Sequence, residues 1–252
     1  MPKKSKKSDS PTQKSLEEKA ATFESEFQAL QKTAADAKSA LEWEKAVTLY
    51  SQCLEMLEKA PEGSLFHASK LDLLDGRAAC YNKLSDLDAE KNDLEAMLAI
   101  TKALGDISRQ VMIYLRLADL TRRTGKLAEG LDIVEKALVM TRQVGNHKLE
   151  ADCLNAISIT QSNLSNFALA METGEHALRL YRELDARPGL IDCLSRNLSF
   201  LLSRLGQATK AVAYAEEGLG IARLLGDREK EAFSFNAMGL TSTDYAKQRD
   251  YG

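Results

Sequence analysis

Apolar residues recur at three- and four-residue intervals along most of the chain, the spacing that gathers them on one side of an α-helix. Phe23, Phe27, Leu30 and Ala34 form the first such stripe, and Trp43, Val47, Tyr50 and Leu54 the second. Ala60-Pro61-Glu62-Gly63 ends the second, because Pro and Gly continue helices poorly and form turns well. A patterned helix resumes at once with Leu65, Leu71 and Leu74. No segment alternates with period two for long enough to be a strand. The pattern predicts about eleven helices and no sheet.

From residue 111 to residue 227 the chain says nearly the same thing three times. Leu127–Gly145 reads LAEGLDIVEKALVMTRQVG, Phe167–Asp185 reads FALAMETGEHALRLYRELD, and Ala208–Gly226 reads ATKAVAYAEEGLGIARLLG. The offset is 40 residues and then 41. A fixed period of this size with two helical patterns per unit is the mark of a solenoid. Gly105, Gly145 and Gly226 follow the last apolar residue of their helices, where a left-handed residue stops a helix and glycine has no Cβ to oppose it. Asp185 holds the matching place in one unit. Gly125 and Gly206 mark tighter turns inside units, and Pro188 falls in the first turn of its helix, where its missing N–H costs nothing.

Leu117-Ala118, Ile157-Ser158, Leu198-Ser199 and Met238-Gly239 are large-then-small pairs in the first helix of successive units. Twelve residues after each small one stand Gly130, Ala170, Ala211 and Tyr251; seven further on come Ala137, Ala177 and Gly218. Small residues so placed let helix axes approach to about 8 Å. These units resemble tetratricopeptide repeats, in a long form of about 40 residues where the usual period is about 34. Ala34, Ala46 and Cys53 with Tyr50 fit a first unit, and Ala78 with Tyr81 a second. The resemblance implies an all-α, right-handed α-solenoid of antiparallel helix pairs over residues 16–252, with about five complete units and a truncated sixth. In the second unit Glu90 stands where a small residue is expected, and a one-residue slip would bring Ala89 and Ala96 there instead. The sixth unit stops at Gly252, where its second helix should begin, so the array is expected to continue past the chain end.

Composition changes this picture little. Charged residues make up 28% and hydrophobic ones 44%, an ordinary soluble balance. No apolar run is long enough to span a bilayer, and no charged-then-apolar leader opens the chain, so the cytoplasm is the expected location. The net charge of −3 is unevenly spread. Residues 1–15 carry five lysines and one aspartate, hence +4, leaving −7 for the remainder. That Lys/Ser/Pro-rich stretch has too little apolar surface to repay ordering and is expected to be a disordered basic tail. It reads either as a solvated tail or, through Lys3-Lys4-Ser5-Lys6, as a nuclear import signal or a contact for nucleic acid or anionic lipid.

Catalytic and metal chemistry find no motif. The phosphate-cradling GxxxxGK[ST] and GxGxxG and the nucleophile elbow GxSxG are absent. His67, His147 and His176 pair with no cysteine or acidic cluster at ligand spacing. Cys53, Cys80, Cys153 and Cys193 include no CxxC pair and are expected to be reduced core thiols. No cofactor and no enzymatic activity are expected.

What remains is a surface. In the resembling family the first helices line a concave groove, and the positions facing it fall three before, one after, and four or five after the small residue. Carried over, these give Asn82 and Lys83 in the second unit and Asp119, Arg122 and Arg123 in the third. They give Asn155 and Asn163 in the fourth, Arg196 and Arg204 in the fifth, and Asn236 in the sixth. Asn155, Arg196 and Asn236 occupy one position of successive repeats. A carboxamide ladder offers both a donor and an acceptor to each peptide unit of an extended chain, and arginines beside it would select carboxylates. The same residues are also common on solvated helix faces. The places of a known C-terminal-carboxylate clamp hold Gln31, Ala35, Gly76, Met112 and Arg116, of which only Arg116 matches. The expected function is a non-catalytic scaffold that binds an extended, acidic segment of a partner protein. The alternative is a sensor or regulatory region of a larger signalling or transcription-regulating protein.

Overall fold

A computed structural model describes the backbone of residues 13–59 and 66–250, and the side chains of residues 21–59 and 69–239. The tail of residues 1–15 therefore lies almost wholly outside the described residues, and Tyr251 does so entirely. Every described element is helical. They are α1 (Gln13–Ser39), α2 (Trp43–Glu58), α3 (Phe66–Leu84), α4 (Leu87–Ala103), α5 (Ile107–Arg123), α6 (Leu127–Gln143), α7 (His147–Asn163) and α8 (Phe167–Glu183). Next comes one continuous helix in three parts: α9 (Arg187–Ile191), a π-helical turn (Asp192–Leu198) and α10 (Ser199–Arg204). Then follow α11 (Ala208–Leu225) and α12 (Arg228–Asp250). The chain divides into two compact units, residues 1–100 and 101–252. Each is a stack of helix pairs of the solenoid class.

Local chemistry sets the helix ends. Asp106 and Asn146 cap α5 and α7, accepting hydrogen bonds from the Arg109 and Leu149 amides at 3.0 and 3.1 Å. Asp227 does the same for α12 through Lys230 N at 3.0 Å. Each satisfies an amide that the first helical turn would leave unpaired. The matching Ala186 cannot cap, and α9 carries Pro188 in its first turn instead. The stop residues are left-handed as the sequence predicts: Gly226 at φ 66° and, as the substitute without glycine, Asp185 at φ 47°.

In the unit of residues 1–100, α1 packs on α2 and α3, and α2 on α3. Ala34, Ala46, Cys53 and Ala78 are all fully buried. Arg77 crosses from α3 to Asp93 of α4 through two bonds of 2.9 and 2.6 Å, and its Nη1 reaches Ser51 Oγ of α2 at 2.9 Å. The slip considered for this unit does not occur. Glu90 is the fourth residue of α4, as Gly130 is of α6 and Ala170 of α8. It is 2% exposed, with Asn82 Nδ2 donating to both carboxylate oxygens at 3.0 Å. A buried carboxylate is tolerable only when hydrogen-bonded, and Asn82 supplies that donor from the facing turn of α3.

In the unit of residues 101–252, first and second helices alternate and the first helices α5, α7, α9–α10 and α12 lie side by side. The crossings hold the expected small residues, with Ala137, Ser158, Ala170, Ala177, Ser199 and Ala211 fully buried. Ser158 and Ser199 do more than leave room. Their hydroxyls donate to the carbonyls of Ala170 and Ala211, 2.6 and 2.9 Å away, bonding each first helix to its partner. Gly174 is needed for the same closeness, since a Cβ there would stand 2.7 Å from both Ser158 Oγ and Leu198 Cδ2.

The step from 40 to 41 residues has a physical location. α7 and α9 start 40 residues apart, whereas α8 and α11 start 41 apart. The extra residue therefore lies inside the fifth unit's first helix, where the π turn Asp192–Leu198 absorbs it. The sixth unit departs from expectation in another way. Its first helix does not break where its predecessors do but runs on to Asp250. The position matching Gly206 is Ala246, the strongest helix former, so nothing local stops the helix.

Candidate functional site

The side-by-side first helices of residues 101–252 present one open side, and the sequence-predicted residues divide on it. Asn163, Arg196, Arg204 and Asn236 are exposed, while Arg122 and Arg123 are half-buried. Arg122 is turned onto Asp119 of its own helix, with Nε 3.2 Å from Oδ1. Asn82 and Lys83 belong to the other unit, where Asn82 serves Glu90 and Lys83 is exposed.

The expected carboxamide ladder is interrupted at α7. Asn155 is only 9% exposed, and its Oδ1 accepts a bond of 2.8 Å from Nδ2 of Asn197. Asn197 also donates to Ser158 Oγ at 2.9 Å. The physical reason is the inserted residue: with one residue more per turn, Asn197 swings inward across α7 and covers the rung that Asn155 would have offered. Arg196, between the buried Ser195 and Asn197, is left pointing outward. Ser195 bonds across to Ser234 of α12 at 2.8 Å. Thus the π turn is pinned on both sides by buried polar contacts.

Aromatic rings that the sequence reading did not single out hold the exposed arginines. The Arg196 guanidinium lies 4.5 Å from the centroid of Phe233 on α12. Arg204 lies 4.8 Å from Phe167 at the start of α8 and 5.9 Å from Phe200 on its own helix. Such stacking fixes a guanidinium while leaving its N–H edge available. Phe200 was legible as a groove position, one after the small Ser199. Phe233 and Asn197 could have been found by asking where the forty-first residue of the period goes.

The thiols are packing groups. Cys53, Cys80, Cys153 and Cys193 are free and buried. Burial pushes the Cys153 and Cys193 thiols up to about 12, the opposite of what a reactive thiolate requires. Among the described residues no three His, Cys, Asp or Glu side chains gather as metal ligands, and no helix is long and apolar enough to cross a membrane.

Comparison with known proteins agrees with this architecture. A family model described as tetratricopeptide repeat matches residues 109–183. The Arabidopsis thaliana protein kinesin light chain-related 3 is 26% identical over 155 residues, which are 58% of this chain and 23% of that protein. The Rap conjugation gene regulator of plasmid pLS20, solved in complex with the Phr* peptide, has a TM-score of 0.71 at 16% identity, covering 91% of this chain and 62% of that one. The Pyrococcus horikoshii signal transduction ATPase with a tetratricopeptide repeat sensor has a TM-score of 0.63 at 17% identity, covering 90% of this chain and 34% of that one. The chain thus spans about a quarter of the curated relative and about a third of the ATPase.

Proposed function

We propose that this chain, a member of the tetratricopeptide-repeat family, is a non-catalytic interaction scaffold that holds an extended, acidic segment of a partner protein against its first helices. One observation carries the reading. The open side of α7, α9–α10 and α12 presents two arginines that meet no carboxylate among the described residues, with the exposed carboxamides of Asn163 and Asn236 beside them. Cations fixed on rings and amides with both donor and acceptor suit a peptide backbone carrying acidic side chains. The solved complex of a Rap regulator with a peptide lends support, because a chain of this fold there takes a peptide ligand. A cytoplasmic site of action fits this role, with the Lys-rich start of the chain as a route to the nucleus.

A second reading, a sensor or regulatory region of a larger protein, draws on the coverage. The fold matches a third of a multidomain ATPase whose repeats are a sensor. In that reading the same open side receives the signal.

To test the proposal, partners are captured with the parent protein, direct binding is confirmed with purified components, and variants are titrated. Substituting Asn163, Arg196 and Asn236 together by Ala should lower affinity by roughly two to four powers of ten. That follows from about 0.5–1.5 kcal/mol for each amide contact and about 1.5–3 for the charge-assisted one. Melting should barely move, since all three side chains are exposed. Unchanged affinity in the folded variant would remove this side of the molecule as the binding site.

A further inference from the structure

Arg196, Phe200 and Arg204 stand at i, i+4 and i+8 of one continuous helix and so line one side of it. All three are exposed. The neighbouring rows differ: α7 offers Asn155, Ile159 and Asn163 at these places, and α5 offers Leu115, Asp119 and Arg123. Only the fifth unit carries a basic–aromatic–basic row, and in it Arg196 is exposed between the buried Ser195 and Asn197 of the π turn. On the second helices, Arg142 is engaged by Glu150 and Arg182 by Glu217, both at 2.8 Å. Arg196 and Arg204 lie on rings instead. Ring stacking uses the flat face of a guanidinium and leaves the N–H edge that grips a carboxylate. Arg204 directs one donor, Nη1, to the Ser162 carbonyl at 3.5 Å, and the rest of its fork stays available.

The spacing of the row selects its ligand. Four residues of helix rise about 6 Å. An extended chain advances about 6.7 Å over two residues, and its side chains two apart point to the same side. A helical row read every fourth residue therefore matches an extended segment read every second residue. We propose that Arg196, Phe200 and Arg204 dock an extended segment of the form acid–any–apolar–any–acid lying along the α9–α10 helix. Each carboxylate is taken by one guanidinium, and the apolar residue between them sits on Phe200. This rests on the partner-binding reading above and names the ligand that reading leaves open.

The probe is a fluorescein-labelled peptide, Gly-Ser-Glu-Ala-Leu-Ala-Glu-Ser-Gly, titrated against the full chain by fluorescence anisotropy. The peptide with both Glu replaced by Gln, and a rearranged one with Glu-Glu-Leu-Ala-Ala at its centre, should each bind at least tenfold more weakly. Arg196→Gln and Arg204→Gln should each lower affinity for the parent peptide by about tenfold, and together by about a hundredfold. Phe200→Ser should lower it for the Leu peptide and not for one with Ala at that position. Because Arg204 also touches Phe167, the folding of each variant is checked by its thermal melt. The double variant Arg196→Glu with Arg204→Glu should reverse the preference, taking Lys-Ala-Leu-Ala-Lys over Glu-Ala-Leu-Ala-Glu. Equal affinity for the Glu and Gln peptides, no binding of the Glu peptide at millimolar concentration, or no reversal in the charge-swapped variant would overturn the assignment. The broader reading is judged apart from it by Asn163→Ala with Asn236→Ala against a captured partner. It stands if that affinity falls and fails if it does not.

Discussion

Asn197→Ala should destabilise the fold by about 2–6 kcal/mol, although Asn197 lies outside every repeat motif. The side chain is 3% exposed, and its amide nitrogen serves Asn155 Oδ1 at 2.8 Å and Ser158 Oγ at 2.9 Å. These two bonds tie the π turn to α7. Truncation removes both, at about 0.5–1.5 kcal/mol each. It also strips a partner from Asn155, which is nearly buried, and an unpaired buried acceptor costs about 1–3 kcal/mol. Ser158 loses less, because its hydroxyl keeps the Ala170 carbonyl. Urea unfolding followed by far-UV circular dichroism measures the loss. Since stability in a repeat stack adds unit by unit, hydrogen exchange should place it in α7 and the π turn and leave α2 and α3 as they were. Ser158→Ala combined with Asn197→Ala should cost less than the sum of the two by about 1 kcal/mol. A loss below about 0.5 kcal/mol for Asn197→Ala would mean that the π turn is not held by this network.

Two glycines in one unit should respond with opposite sign. Gly174→Ala places a methyl 2.7 Å from Ser158 Oγ and Leu198 Cδ2 and should cost about 1–3 kcal/mol. Gly220→Ala meets nothing within 4 Å on the exposed side of α11 and should add about 0.5–1 kcal/mol, both read from melting. The buried thiols make stability depend on alkaline pH. Their folded values of about 12 exceed the ordinary 9.0, so the native state keeps protons that the unfolded chain gives up. Their contribution is full below about pH 9 and is lost between about pH 9 and 12. Replacing Cys153 and Cys193 by Ala should flatten that part of the stability profile. A thiol reagent should find the four cysteines only after unfolding, and a reductant should leave the melting temperature unchanged.

The helical period, the stop residues and the crossings were legible because each depends on residues close in sequence. Gly226 and Asp185 end helices through their own backbone, and Ala170 or Ala211 permits close approach through its own small size. The interaction face was legible only in part. Its positions follow from helix geometry, which put Arg196, Arg204, Asn163 and Asn236 outside as expected. What each exposed position is engaged with depends on residues some 40 places away, which periodicity does not reveal. Asn155 is covered by a side chain 42 residues on, and Arg196 rests on a ring 37 residues on. Glu90 was a misfit by size alone, and its donor Asn82 was read as a groove residue when it serves the core.

A helix that gains a residue has two ways to carry it. Every side chain beyond the insertion can rotate by about 100°, or the extra residue can be confined to one widened turn. Rotation would carry Leu198, Ser199 and Leu202 off the core, although these are 2% exposed or less. It would also break the Ser199–Ala211 bond that repeats the Ser158–Ala170 bond one unit earlier. The π turn avoids both, so α10 resumes in register and the stack continues unchanged. Its cost is confined to the turn Asp192–Leu198 and is offset by the buried contacts of Ser195 and Asn197 on either side of Arg196. A repeat stack that keeps its register everywhere else thus departs from it beside Arg196, which is turned outward onto the Phe233 ring rather than onto a carboxylate. That coincidence, more than the number of exposed polar residues on the first helices, is why the fifth unit is where partner specificity should be sought.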